Sequence, residues 1–287
     1  MGHARTVSER LPPLILLSAP GMRTLQHDTD TRRSSLVSRP CAAQHGHMAP
    51  RRFHVEDLSA ATIRLAGDEA RHAHKVLRLG PGDHVTLFDG RGQEADGRIV
   101  AAARDALDVE ILARRQAGAA TAELVIACAV PKGDRADWLV EKCAELGVIR
   151  LIPLLAARGL VRPGEAKIDR WRRKAVEASK QSRQMRAMSI DAPATLSEAL
   201  TACPAAAVYY CDADPAHPAL PAGIHASATK SALILIGPEG GFTDAEITAI
   251  RSAGGRPARL AESILRVETA AVAAAAHWAA HRLTPRA

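Results

Sequence analysis

Aromatic residues are scarce: Phe, Trp and Tyr make up only 3% of the 287-residue chain. Apolar residues still reach 47%, so the core this chain builds must be aliphatic and rich in alanine. Cysteine is thinly spread as well. Cys41, Cys128, Cys143, Cys203 and Cys211 show no CxxC pair and no regular spacing, which argues against a disulfide framework or zinc cluster and fits a reducing cytosol. No apolar run approaches the roughly 20 residues of a membrane span. Leu11–Leu17 is short, holds two prolines and lacks a clear cleavage site, a poor match to a signal peptide.

What the chain does have is positive charge. Lys and Arg number 38 against 31 Asp and Glu, for a net charge of +7. An excess of this size favours a polyanionic partner, because neutralised phosphates release counterions.

The length suits one small domain and one medium one. Residues 1–48 mix Ser, Arg, Pro and Gly without periodicity; they read as a disordered or non-native extension, with order beginning near Met48. Residues 49–118 read as β structure. Val85–Phe88 runs into Asp89-Gly90, a strong turn pair, and Gly97–Val100 and Leu107–Ile111 alternate at period two. Many short strands predict a small barrel, interrupted by a short helix around Asp68–Leu77. A small, polar stretch at Arg114–Thr121 marks the boundary. Residues 119–287 alternate strands (Leu124–Val130, Val148–Leu155, Ala206–Tyr210, Leu233–Ile236) with helices. Asp134 is expected to cap the first helix and Gly147 to end it in a left-handed turn. Ile168, Trp171, Ala175, Ala178 and Ser182 form one stripe of a long basic helix. The pattern predicts an α/β fold with a mostly parallel sheet.

Two segments carry chemistry. In the first, the apolar strand Leu233–Ile236 runs straight into Gly237-Pro238-Glu239-Gly240-Gly241, and Thr243 and Glu246 then form a capping box that opens a helix. Glycines at the carboxyl end of a strand let backbone amides approach a ligand, and a valine at Gly240 is expected to intrude on the loop and restrict its backbone. In the second, Ser263-Ile264-Leu265-Arg266-Val267-Glu268-Thr269 joins a short strand to an alanine-rich helix. An acid at Glu268 suits the helix dipole by itself, whereas a cation at Arg266 is unfavourable there and calls for a ligand or substrate contact.

These two segments together resemble the bacterial 16S ribosomal RNA uracil-N3 methyltransferase family, ribosomal RNA small subunit methyltransferase E, of the SPOUT superfamily. The resemblance extends over nearly the whole chain after Met48. It includes Arg51 and Phe53, the motif His72, Val76, Leu77, Arg78, Gly80 and Gly82, then Lys132, Lys142–Gly147 and Gln181-Ser182. It implies a PUA-like RNA-binding barrel followed by a trefoil-knotted domain that binds S-adenosylmethionine and forms a homodimer. The methyl donor would lie among three loops: the segment after Tyr210, with Tyr210 and Cys211, the loop Ile236, Gly237, Pro238, Glu239, Gly240 and Gly241, and the segment Ser263–Thr269, with Ser263, Ile264, Leu265, Arg266 and Thr269. The partner would be 16S ribosomal RNA, in the 30S subunit.

Uracil N3 carries a proton and is a poor nucleophile until that proton leaves, so a base or a cation must sit beside it. Arg266 is the expected anion stabiliser, with Glu268 or Glu239 orienting the donor or accepting the proton. No metal is required. The basic stretch from Lys167 to Arg186 has eight Lys or Arg and two acids. Arg172, Arg173 and Arg183 from it, with Arg51, Arg52, His72, Arg78 and Lys132, are the expected RNA contacts. The stretch Ala157-Arg158-Gly159 departs from a Glu-Arg-Ser-type segment in many relatives and keeps only the arginine.

Four rival readings compete with this one, and two of them fail on the residues. Phe88–Ala95 superficially fits a dinucleotide fingerprint, but a period-two strand follows where a helix should, so it reads as a hairpin. His72 and His74 diverge on a helix, and Asp212–His217 forms no ligand pattern. A knotted methyltransferase acting on another RNA, or an RNA-binding assembly factor with a vestigial donor site, would share most of these features.

Overall fold

The computed structural model describes residues 51–118, 123–204, 206–220, 224 and 231–283. The expected extension 1–48 lies outside the described residues.

The first region is a curled five-stranded mixed sheet in the order β1-β3-β4-β5-β2. Its strands are β1 (Arg51–His54), β2 (Thr62–Ala66), β3 (His84–Phe88), β4 (Gln93–Ala103) and β5 (Ala106–Gln116). β1 pairs parallel with β3, and the other pairings are antiparallel. Alternation sends Ile63, Leu65, Val85, Leu87, Ile99, Leu107 and Val109 inward to meet Phe53 and Leu58. The turn after β3 forms as its residues dictate. The Asp89 carboxylate accepts from the Arg91 and Gln93 amides at 2.7 and 2.9 Å, an Asx arrangement that fixes the β3–β4 hairpin. This hairpin is what stands at the superficial dinucleotide fingerprint. The short helix is α1 (Gly67–Arg71), and it continues as a π-helical turn, His72–Val76.

The second region is a six-stranded sheet in the order β11-β9-β10-β6-β7-β8, parallel throughout. Its strands are β6 (Glu123–Ala129), β7 (Arg150–Leu154), β8 (Ser189–Ile190), β9 (Ala207–Cys211), β10 (Ser231–Ile236) and β11 (Arg256–Ala258). Parallel strands covered on both faces read as continuous apolar runs, and Leu233–Ile236 is one. Ile234 and Ile236 pack towards α2 (Arg135–Glu145), α3 (Glu165–Gln181) and α6 (Val267–Leu283). Leu233 and Leu235 pack towards α4 (Leu196–Thr201) and α5 (Asp244–Ser252).

Gly147 is left-handed at φ +79°, and the α3 stripe is buried at Ile168, Trp171, Ala175, Ala178 and Ser179, with Ser182 falling at the C-cap instead. Asp134 does not cap α2. Its own backbone is already helical, with φ −73° and ψ −12°, and its side chain makes no capping bond; a capping residue needs extended dihedrals to turn its oxygen back on the helix. Asp137 serves packing rather than capping, accepting from Arg170 Nη2 at 2.7 Å and Trp171 Nε1 at 2.8 Å and so tying α2 to α3.

The two regions meet through main chain as well as side chains. The Ala187 amide donates to Gly90 O at 2.8 Å, and Arg91 and Arg186 form an isolated antiparallel bridge. Arg52 spans the contact. Its two terminal nitrogens donate to Ser179 O and Gln184 O at 2.9 and 2.8 Å, and its Nε lies 3.0 Å from Glu94 Oε2. Lys180 Nζ reaches Glu69 at 2.9 Å. Among the described residues, no helix is long and apolar enough to cross a membrane, and no group of three or more His, Cys, Asp or Glu side chains is arranged to hold a metal.

Candidate active site

Neighbouring strands β10 and β6 send their connections in opposite directions, β6 through α2 to β7 and β10 through α5 to β11. Such a reversal opens a crevice at the carboxyl edge of a parallel sheet. A cavity of about 400 Å³ lies at this edge, bounded by the ends of β9 and β10 and the segment before α6. Its size falls within the ~300–1,000 Å³ usual for small-molecule sites.

The structure brings most of the expected donor-site residues to this one cavity. Tyr210, Cys211, Ile236, Gly237, Pro238, Glu239, Gly240, Gly241, Ser263, Ile264 and Leu265 all line it. The loop is shaped locally. The Gly241 amide donates to Pro238 O at 2.8 Å, and Gly241 adopts φ +69°, a left-handed conformation cheap only for glycine. The positive φ is at Gly241; Gly240 has none, and a side chain at 240 would meet only the flexible Arg158 side chain, at 3.3 Å. The backbone restriction expected at Gly240 therefore belongs one residue later. Thr243 and Glu246 complete the capping box that begins α5.

Arg266, Glu268 and Thr269 do not line the cavity, whereas Val267 and Ala270 do. The reason is helical phase: residues three apart share a face, so the chain at 266, 268 and 269 points elsewhere. Arg266 is exposed, between the lining residues Leu265 and Val267 in the chain. Glu268 is buried at 6% exposure and faces α2, with Oε1 3.5 Å from Arg135 Nη1 and Oε2 without a hydrogen-bond partner among the described residues. Of the three expected catalytic groups, only Glu239 forms part of the wall.

Asp212 and Ala213, in the expected segment after Tyr210, also line the cavity, and sequence reasoning missed Phe242, Ile247, Leu260 and Ala261, which line it too. Leu260 and Ala261 follow β11, and loops after parallel strands were the available signal. The cavity thus joins apolar walls, glycine amides and two carboxylates (Asp212 and Glu239). Burial pushes the Cys143 thiol up to about 12 and raises Cys128 well above its ordinary value, so neither supplies a thiolate nucleophile.

The expected RNA contacts divide. Arg51, His72, Arg78, Lys132, Arg173 and Arg183 are exposed. Arg78 and Arg183 hold positive φ, +56° and +59°, which is uncommon outside glycine and concentrates at functional positions. Arg52 is turned inward: its side chain is 8% exposed, and its two terminal nitrogens donate to protein carbonyls. Arg172 donates to Ile190 O and Asp169. Much of the basic helix is neutralised in the same way. Arg170 pairs with Asp137, Lys174 with Glu141 and Lys180 with Glu69 and Glu177. The run of cations largely ties α3 to its neighbours.

Comparison with known proteins gives this geometry its class. Residues 119–279 match the family model for an RNA methyltransferase domain, and residues 65–112 match that for an RNA methyltransferase PUA domain. Ribosomal RNA small subunit methyltransferase E of Synechocystis is 30% identical over 77% of this chain and 74% of its own length. The Bacillus subtilis protein of the same name is 29% identical over 74% of this chain and 87% of its own. A ribosomal RNA small subunit methyltransferase E from Neisseria gonorrhoeae, solved bound to S-adenosyl methionine, superimposes with TM-score 0.73 at 26% identity, covering 82% of this chain and 100% of its own. A probable rRNA-methyltransferase from Porphyromonas gingivalis gives TM-score 0.72 at 32% identity, covering 81% and 98%. The chain belongs to the ribosomal RNA small subunit methyltransferase E family of the SPOUT superfamily.

Proposed function

We propose that this protein transfers the methyl group of S-adenosylmethionine to N3 of a specific uridine in 16S ribosomal RNA, within the 30S subunit and in the cytoplasm. We further propose that it works as a homodimer through a trefoil-knotted domain spanning 119–287, with residues 49–118 as the RNA-binding barrel. The observation that carries the reading is the cavity at the carboxyl edge of β9 and β10, walled by the glycine loop and by Ser263–Leu265, in a chain of this family.

The lining fits the donor chemically. Ile236, Leu260, Leu265 and Ala270 offer apolar surface to a purine, and Asp212 and Glu239 offer carboxylates to hydroxyl and ammonium groups. Bound there, S-adenosylmethionine supplies an electrophilic methyl group next to a sulfonium leaving group. The protein must do the rest. Glu239, exposed in the wall, is the better placed of the two glutamates to accept the N3 proton or orient the donor. Arg266, exposed and next in the chain to Leu265 of the wall, stabilises the uracil anion formed when that proton leaves. Glu268, held towards α2, supports the start of α6 from behind.

Methyl transfer from radiolabelled donor to purified 30S subunits, followed by mapping of the product base, tests the reading. The expected product is N3-methyluridine. Transfer to tRNA instead would indicate another RNA substrate. RNA binding without transfer would indicate an assembly factor with a vestigial donor site.

A further inference from the structure

We infer that Arg158 is a positioning residue that holds the glycine loop in its ligand-receiving shape; the inference rests on the donor-site reading above. The loop needs a restraint. Gly240 and Gly241 lack side chains, and an unpinned Gly-Gly peptide samples many orientations. Here the Gly240–Gly241 peptide plane is pinned at both ends. Its N–H donates to Pro238 O at 2.8 Å, within the loop. Its carbonyl, Gly240 O, accepts from Arg158 Nη1 at 2.6 Å, from outside it.

Arg158 is itself held in place. The capping-box carboxylate of Glu246 accepts from Thr243 N at 2.8 Å through one oxygen and from Ala157 N at 2.8 Å through the other. One carboxylate therefore fixes the helix that follows the glycine loop and the backbone next to Arg158. The absence of a side chain at Gly240 leaves room for the Arg158 stem, whose Cδ would lie 3.3 Å from a β-carbon there. Arg158 is exposed, so water competes for the carbonyl and the effect on affinity is modest, roughly five- to tenfold.

The test is calorimetric titration of the full-length protein with S-adenosylmethionine alone, for wild type, Arg158→Ala and Arg158→Lys. Unfolding midpoints and single-turnover transfer at saturating donor accompany it. The expected result is a roughly five- to tenfold weaker donor affinity for Arg158→Ala at an unchanged midpoint. Lysine, which still donates to a carbonyl, should restore part of the loss, and transfer at saturating donor should return close to the wild-type rate. Should alanine lower the midpoint, the lysine variant carries the comparison. Equal donor affinity in wild type and both variants overturns the inference. Loss of RNA affinity with donor affinity intact would also overturn it, making Arg158 an RNA contact. A folded wild type that binds no donor would instead remove the donor-site reading itself, and this inference with it.

Discussion

The guanidinium carbon of Arg52 sits 3.8 Å from the centroid of the Phe88 ring. The same guanidinium bonds two carbonyls of the segment at the end of α3 and faces Glu94. Burial lowers its pKa, against the opposing pull of Glu94. A charge in this position joins the barrel to the α/β region.

Replacing it is therefore expected to damage the fold rather than the chemistry. Arg52→Met leaves Gln184 O without the Arg52 donor, while Ser179 O keeps the Gln184 amide and Glu94 keeps Arg115, and stability should fall by about 2–3 kcal/mol. Arg52→Lys should recover little, since an ammonium cannot reproduce the planar fork. Urea unfolding of the two variants checks both statements. RNA affinity per folded molecule should change far less than for an exposed arginine.

The glycine loop predicts a difference between neighbours. Gly241→Ala forces a β-carbon into φ +69°, at about 1–2 kcal/mol, although nothing lies within 4 Å of it. Gly240→Ala requires only a small shift of Arg158. Calorimetry should find donor affinity clearly reduced by the first and little changed by the second.

Glu246 makes the protein sensitive to acid. Its burial alone would raise the pKa, but the amides of Thr243 and Ala157 outweigh that, and the folded value lies below the ordinary 4.5. The unfolded chain then binds the proton more readily, so stability rises with pH through this window. The contribution is complete above about 4.5 and is lost as pH falls through the folded value. Denaturation across roughly pH 3–6, the range in which a glutamate titrates, should show a stability difference between wild type and Glu246→Gln that shrinks towards the acid end.

Arg173, Arg183 and Arg186 are exposed cations of the α3 region without an ion pair among the described residues, and of these Arg186 donates to Arg91 O. Changing Arg173 and Arg183 to Ala should weaken RNA binding uniformly across sequences and lower the salt slope by about 1–2 units. Arg172→Ala, removing a group bonded to Ile190 O and Asp169, should change the slope less. Filter binding over a salt series distinguishes them.

Local features were legible in the sequence because their causes are local. The Thr243–Glu246 box, the Asp89-Gly90 turn and the left-handed Gly147 each depend on residues within a few positions. Features set by distant contacts were not. Arg52 reads as a free surface cation until its bond to Ser179, 127 residues away, is seen. Arg158 and Gly240 are separated by 82 residues. The start of α6 lies between these cases. The segment was found, but its phase was not, and phase sends Val267 and Ala270 to the cavity instead of Arg266 and Thr269. Asp134 shows the converse error: a good capping residue whose backbone is already committed to the helical turn.

The main-chain bridge between Arg91 and Arg186 bears on how such a protein could be recombined. A barrel attached only by a tether could be exchanged for another RNA-recognition module by cutting the tether. Here the hairpin tip takes an amide from Ala187, so a transplanted barrel would arrive without its seat. Any working chimera must carry the short stretch after α3 together with the barrel, although the two lie far apart in the gene.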